Sequence, residues 1–193
     1  MRSIVVFCGS ADGYVQDYRE VAYDLGATLA KRDIRLIYGG ACIGLMGAVA
    51  DGVLDNKGKV IGVIPGFLRS KEIAHEDVSE MIVVESMHER KLKMHELSDG
   101  VITMPGGWGT MEEMFEMLTW AQLGLHNKPV GLLNVNGYYD SLISMINNMT
   151  DEGFLKESNR QMLLVSESID DLLEQMTQYQ APEAPKWITK QTT

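Results

Sequence analysis

A doubly wound, Rossmann-like α/β domain, with a mostly parallel sheet and helices on both faces, is the fold this sequence predicts, and three observations carry the prediction. Short β-rich runs alternate with helical patterns from the first residues to about position 178. Most of the runs are too continuous in Val, Ile and Leu to be half exposed, which marks strands covered on both faces. Several of them end in glycine-rich or otherwise sharp turns. In chain order, a strand over 3–8 stops at Gly9-Ser10 and gives way to a helix over 15–32. A second strand over 35–38 runs into Gly39-Gly40-Ala41-Cys42-Ile43-Gly44, and a helix follows over 44–56. The third, over 60–64, is closed by Pro65-Gly66; the fourth, over 81–84, precedes a helix over 87–98. The fifth, over 101–104, meets Pro105-Gly106-Gly107-Trp108-Gly109 and a helix over 110–125. Strands over 130–133 and 163–165, with helices over 138–150 and 168–178, complete the pattern. One domain over 1–179 is expected, with a loose tail over 180–193 carrying Pro182 and Pro185.

Composition narrows the function. Hydrophobic residues make up 45% of 193, an ordinary globular share that excludes wholesale disorder. Seventeen Lys and Arg stand against 27 acids, a net charge of −10, so no nucleic-acid polymer is expected as a partner, because that binding draws on a broad basic face. A single phosphate needs only a local one. Cys8 and Cys42 lie beside apolar residues without metal-ligand spacing and read as buried thiols. No apolar run approaches the roughly 18 residues of a membrane span, so a cytoplasmic protein without a membrane partner is expected.

The glycine turns fall at strand ends on one edge of the sheet, where ligands of open α/β folds sit. Neither cluster is a GxGxxG fingerprint, and GxxxxGK[ST] does not occur, which disfavours dinucleotides and triphosphate hydrolysis. The loop from Pro105 reads instead as a phosphate cradle at a helix start. Gly106, Gly107 and Gly109 let the backbone approach an anion, and the helix adds the positive end of its dipole.

Thr110-x-x-Glu113 allows two readings. It is a capping box, and taken alone the cap explains Glu113. The glycines tip the reading toward chemistry, since a helix needing only a cap does not need three of them before it. Arg90 shares a stripe with Met87, Met94 and Leu97, so a guanidinium falls on a buried face and needs an anion there. That anion is a structural carboxylate, a ligand phosphate or the catalytic carboxylate itself. Lys91 and Lys93 add local positive charge, with Lys93 read as solvated. His75, His88, His95 and His126 show no metal spacing and no nucleophile partner, and no metal is expected. The helix over 110–125 is apolar on two faces, Met114, Phe115 and Leu118 on one and Met117, Trp120 and Leu123 on the other. One face packs on the sheet, and a second copy of the helix in a homodimer is the expected cover for the other.

Together the motifs resemble the LOG ("lonely guy") family, described as cytokinin riboside 5′-monophosphate phosphoribohydrolases and formerly labelled lysine decarboxylase-like. The resemblance rests on Pro105-Gly106-Gly107-Trp108-Gly109-Thr110-Met111-Glu112-Glu113, on Met87-His88-Glu89-Arg90-Lys91 before it, and on Trp120-Ala121-Gln122-Leu123-Gly124 after it. It extends from Phe7-Cys8-Gly9-Ser10 through Tyr38-Gly39-Gly40 to about Val165. It implies a Rossmann-like homodimer that hydrolyses the N-glycosidic bond of a nucleoside 5′-monophosphate to free base and ribose 5-phosphate, without a cofactor. It further implies Arg90 and Glu113 as the catalytic pair, and substrate contacts from Glu72, Arg90, Lys91, Gly107, Trp108, Gly109, Thr110, Met111, Glu112, Glu113 and Thr119. Two departures are mild: Trp108 replaces the family's usual tyrosine, and Ala41 follows Gly39-Gly40 where a third glycine is common.

A carboxylate near the anomeric carbon suits this reaction, because glycosidic cleavage passes through an oxocarbenium-like state. Another class of reading is a non-catalytic carrier of a phosphorylated cofactor, similar to molybdenum-cofactor carriers, which would not need Glu113. A pyridoxal-phosphate decarboxylase is a third, but no lysine sits in a recognisable cofactor motif.

Overall fold

The computed structural model describes residues 1–69 and 74–182. Among the described residues seven strands form one sheet: β1 (Ser3–Phe7), β2 (Arg35–Tyr38), β3 (Val60–Pro65), β4 (Glu80–Val84), β5 (Gly100–Thr103), β6 (Val130–Leu133) and β7 (Leu163–Ser166). Their order is β4-β3-β2-β1-β5-β6-β7, and every neighbouring pair is parallel. The sheet is thus wholly parallel, where a mostly parallel one was expected.

Period-two alternation sends Ile4 and Val6 of β1 to one face and Val5 and Phe7 to the other, all of them buried. On the first face they meet α1 (Asp17–Lys31), α2 (Gly44–Asp55) and α8 (Ile169–Gln178), through Leu25, Val49 and Leu172. On the second they meet α4 (Met87–Leu97), α5 (Trp108–Gln122) and α6 (Asp140–Asp151), through Met94, Met114 and Ile146. Single-turn helices α3 (Gly66–Arg69) and α7 (Glu157–Arg160) are too short to leave a periodic signature and were not expected from the sequence.

The first helical layer depends on close backbone approach. A Cβ added to Gly52 of α2 would lie 2.1 Å from the Tyr23 carbonyl oxygen of α1, and one added to Gly26 would lie 2.1 Å from that of Val49. Gly52→Ala must therefore push two helices apart, and a loss of about 1–3 kcal/mol is expected in urea unfolding. Unchanged stability would show that the crossing yields without strain.

Chain direction places the site. From β1 the chain builds outward through β2, β3 and β4; from β5 it builds the other way through β6 and β7. The order reverses between β1 and β5, so their C-terminal loops diverge to opposite faces and leave a crevice. The expected loose tail over 180–193 lies, from 183 onward, outside the described residues. Among the described residues no helix is long and apolar enough to cross a membrane.

Candidate active site

Arg90 is the pivot of the site. Its helix, α4, begins with a capping pair: Ser86 Oγ accepts the Glu89 N–H at 3.1 Å, and the Glu89 carboxylate accepts the Glu85 N–H at 2.8 Å. One turn later Arg90 enters the protein and is only 8% exposed. Its Nε donates to Val63 O at 3.1 Å and one terminal nitrogen donates to Gly39 O at 3.1 Å. The other terminal nitrogen stands 3.8 Å from Glu113 Oε1. The guanidinium thus ties the ends of β2 and β3 to α5. The stripe predicted for this face is correct at Arg90 and Met94 but not at Met87, which opens the helix and is 38% exposed.

Glu113 does not cap. Helix α5 starts at Trp108, two residues before the expected position, and Gly107 is its N-cap. The first backbone bond of the helix runs from Met111 N–H to Gly107 O at 3.1 Å. Thr110 therefore sits in the third helical position with its hydroxyl against Gly106, where an added Cβ would come within 2.2 Å of Oγ1. Glu113 falls on the second turn and faces Arg90. Burial pushes its carboxyl up to about 7, outweighing the pull of the Arg90 charge in the other direction. Cys8, buried at the end of β1, has its thiol pushed up by the same burial and by the Glu113 charge.

The expected cradle is a set of backbone donors. The N–H groups of Trp108, Gly109 and Thr110 precede the first intrahelical bond, face away from the helix and have no hydrogen-bond partner among the described residues. Gly107 has a φ of −96°, which any residue adopts, and a Cβ added to Gly107 or Gly109 would meet no atom within 4 Å. The space above both glycines is open, so the fold itself does not require them. The three carbonyls before the helix are all tied back: Met104 O accepts from Tyr139 Oη at 2.7 Å, Pro105 O from Gly9 N at 3.0 Å and Gly106 O from Tyr138 Oη at 2.8 Å. A cleft of about 310 Å³ opens beside them at the β1/β5 crevice, lined by Ser10, Asp12, Tyr18, Leu45, Gly107 and Tyr138 among others. Sequence reasoning missed Tyr138 and Tyr139, which lie in the turn before α6 and carry no local motif.

The remaining expected contacts are spread more widely. Trp108 is 93% exposed at the mouth of the loop. Met111 packs half-buried against the core of the second face. Lys91 is buried and donates to Glu112 at 2.5 Å and Glu116 at 3.0 Å, so it binds α4 to α5 along the outside of the Arg90–Glu113 pair. Thr119 is exposed on α5, and its hydroxyl donates to Phe115 O at 2.7 Å. Glu72 lies outside the described residues. The buried face of α5 is Thr110, Met114, Met117 and Ala121, so Met114 and Met117 share one face where the sequence suggested two. Among the described residues no three His, Cys, Asp or Glu side chains are grouped to hold a metal ion.

The protein-family model described as "Possible lysine decarboxylase" matches residues 46–176. The chain is similar to the Arabidopsis thaliana cytokinin riboside 5′-monophosphate phosphoribohydrolase LOG3, at 47% identity over 98% of this chain and 87% of that protein. It is also similar to LOG4 of the same plant, at 48% over 91% and 82%. Among solved structures, the molybdenum cofactor binding protein from Rippkaea orientalis superposes with a TM-score of 0.68 at 23% identity, covering 92% of this chain and 97% of that one, a likeness of fold. Matched across nearly its whole length by such relatives, the chain belongs to the LOG family of cytokinin riboside 5′-monophosphate phosphoribohydrolases.

Proposed function

We propose that this protein hydrolyses the N-glycosidic bond of a nucleoside 5′-monophosphate, of the cytokinin riboside type or AMP, to free base and ribose 5-phosphate. The observation that carries the reading is the position of Glu113, a largely buried carboxyl 3.8 Å from the Arg90 guanidinium on the helix whose first turn presents the N–H donors, with burial raising its pKa to about 7. The donors at 107–110 take the 5′-phosphate and so convert phosphate binding into alignment of the ribose. As the C1′–N bond breaks, its electron pair leaves with the base and positive charge grows on the ribose. The Glu113 carboxylate stabilises that charge and accepts a proton from the water that adds to C1′. Arg90 orients Glu113. Glu72, Lys91, Trp108, Met111, Glu112 and Thr119 complete the proposed substrate contacts, with Lys91 acting through Glu112.

Incubation with AMP, N6-isopentenyladenosine monophosphate and the matching nucleosides, followed by chromatography, tests this. Free base is expected from the monophosphates and little from the nucleosides. Folded protein that releases base from no monophosphate would sink the reading. A carrier of a phosphorylated cofactor explains the loop but gives Glu113 no task, and a native mass spectrum with a retained pterin would favour it.

The open glycines supply a sharper prediction. Gly107→Ala should leave the melting temperature unchanged, since the methyl enters empty space, yet raise KM for the monophosphate on the order of a hundredfold by occupying the place of the phosphate. An unchanged KM would move the phosphate elsewhere.

A homodimer through α5 is part of the proposal. Phe115 and Leu118 flank an apolar groove of about 140 Å³ on its outer side, continued by Met149 and Leu155. Light scattering behind a sizing column should give twice the chain mass. A cytoplasmic location is proposed too, on the free thiols of Cys8 and Cys42.

A further inference from the structure

The peptide between Gly106 and Gly107 is the weak point of the cradle. A trans peptide is planar, so its C=O and N–H point in opposite directions, and turning one outward turns the other inward. Rotation of that plane is resisted mainly by the side chains on either side, and here both neighbours are glycine. Left to itself, this unit can present either the Gly107 N–H or the Gly106 carbonyl oxygen to an anion in the cleft. The first attracts a phosphate and the second repels it.

Tyr138 decides between them. Its hydroxyl donates to Gly106 O at 2.8 Å, which fixes the plane of the Gly106–Gly107 peptide and with it the direction of the Gly107 N–H. The ring is itself held in place. It meets Tyr139 edge-on at 4.7 Å and 85°, and Tyr18 at 5.8 Å and 79°. The neighbouring carbonyls have their own partners in Tyr139 and the Gly9 N–H, so the latch at Gly106 is separate from the anchors at Met104 and Pro105. Tyr138 is 45% exposed and lines the cleft, whereas Tyr139 is 2% exposed and belongs to the core.

We propose that Tyr138 is a positioning residue for the phosphate, a latch that keeps the Gly106–Gly107 peptide with its N–H toward the ligand. The inference rests on the reading of 107–110 as a phosphate site, and ribose 5-phosphate, the phosphorylated product of that reading, is the probe. Calorimetry compares ribose 5-phosphate and unphosphorylated ribose on the full-length wild type, on Tyr138→Phe and on a protein with 4-aminophenylalanine at 138, which keeps a donor at the same place. Steady-state turnover of AMP is measured alongside.

Tyr138→Phe should melt like the wild type, bind ribose 5-phosphate about tenfold more weakly, and show KM for AMP raised by a similar factor at nearly constant kcat. Ribose affinity should not change, and the amino variant should recover most of the loss. Equal affinity of Tyr138→Phe and wild type for ribose 5-phosphate would overturn the latch while leaving the hydrolase reading intact. So would a loss that the amino variant fails to restore, or one shared equally by ribose, since both mark a role in shape. A wild type that binds neither ribose 5-phosphate nor AMP would overturn both readings together.

Discussion

Glu113→Gln is expected to lower turnover of a nucleoside monophosphate by on the order of 10²- to 10⁴-fold while making the protein more stable at alkaline pH. The two effects share one cause. Burial raises the folded-state carboxyl from its usual 4.5 to about 7, so the fold favours the protonated form. For a group raised in this way, the stabilising contribution is fully present below the unfolded value and is lost as pH rises through the folded one. Between about pH 4.5 and 7, then, ionisation of Glu113 progressively costs the wild type, by on the order of 3 kcal/mol at the alkaline end. Glutamine has no charge to bury. The variant should match the wild type in melting temperature near pH 4.5 and exceed it at pH 8. Wild-type kcat/KM should rise with pH through about 7 as the carboxylate forms, and the residual rate of the variant should lack that limb. Wild-type activity in Glu113→Gln would remove the carboxylate from the mechanism. A melting-temperature difference that is the same at both pH values would remove the burial argument. A carboxyl that weakens the fold when it ionises is the expected signature of a group kept for chemistry, as proposed for Glu113.

Much of this was legible in the chain. All seven strands lie within one residue of the expected boundaries at each end: the five inner strands leave continuous apolar runs because both of their faces are covered, glycine turns mark the exits of β1, β2, β3 and β5, and the partly exposed edge strands β4 and β7 are still short runs rich in Val, Ile and Leu. Arg90 was legible because a guanidinium interrupts an otherwise apolar helix face. The role of Glu113 was ambiguous for a reason of register. Ser86-x-x-Glu89 and Thr110-x-x-Glu113 have the same spacing, yet only the first caps its helix. A glycine without a side chain, Gly107, takes the N-cap in the second case, and this moves Glu113 onto the second turn. Local pattern does not tell these apart. Tyr138 and Tyr139 were illegible in principle, since their contacts with Gly106 and Met104 bridge 32 and 35 positions and exist only once β6 has paired with β5. The two faces of α5 were misgrouped because Met and Phe are equally apolar, so composition could not say which of them meets the sheet.

Arg90→Met separates two roles that the sequence left open for this cation, a grip on the phosphate and the orientation of Glu113. Nε and both terminal nitrogens already face Val63 O, Gly39 O and Glu113, which favours orientation. Methionine fills much of the same volume without charge. Two buried carbonyls then lose their donors, at about 1–3 kcal/mol each, and Glu113 loses the cation that opposes its burial. The carboxyl must move above 7, so at neutral pH it is protonated and idle. Activity should fall steeply at pH 7 and return in part at pH 9, with the rising limb of the pH–rate profile displaced upward. Denaturation should follow the same sign, the deficit against wild type being larger at pH 8 than at pH 6, because only the ionised Glu113 is stranded in the variant. Were Arg90 instead a phosphate ligand, KM would rise, kcat would persist and the limb would stay in place. Gly39→Ala approaches the same question without touching either charge: its Cβ would lie 2.1 Å from the guanidinium nitrogen that Gly39 O now holds, so it must displace Arg90. A displaced limb in both variants would identify Arg90 as the group that keeps Glu113 ionised, and an unmoved limb in both would return it to the phosphate.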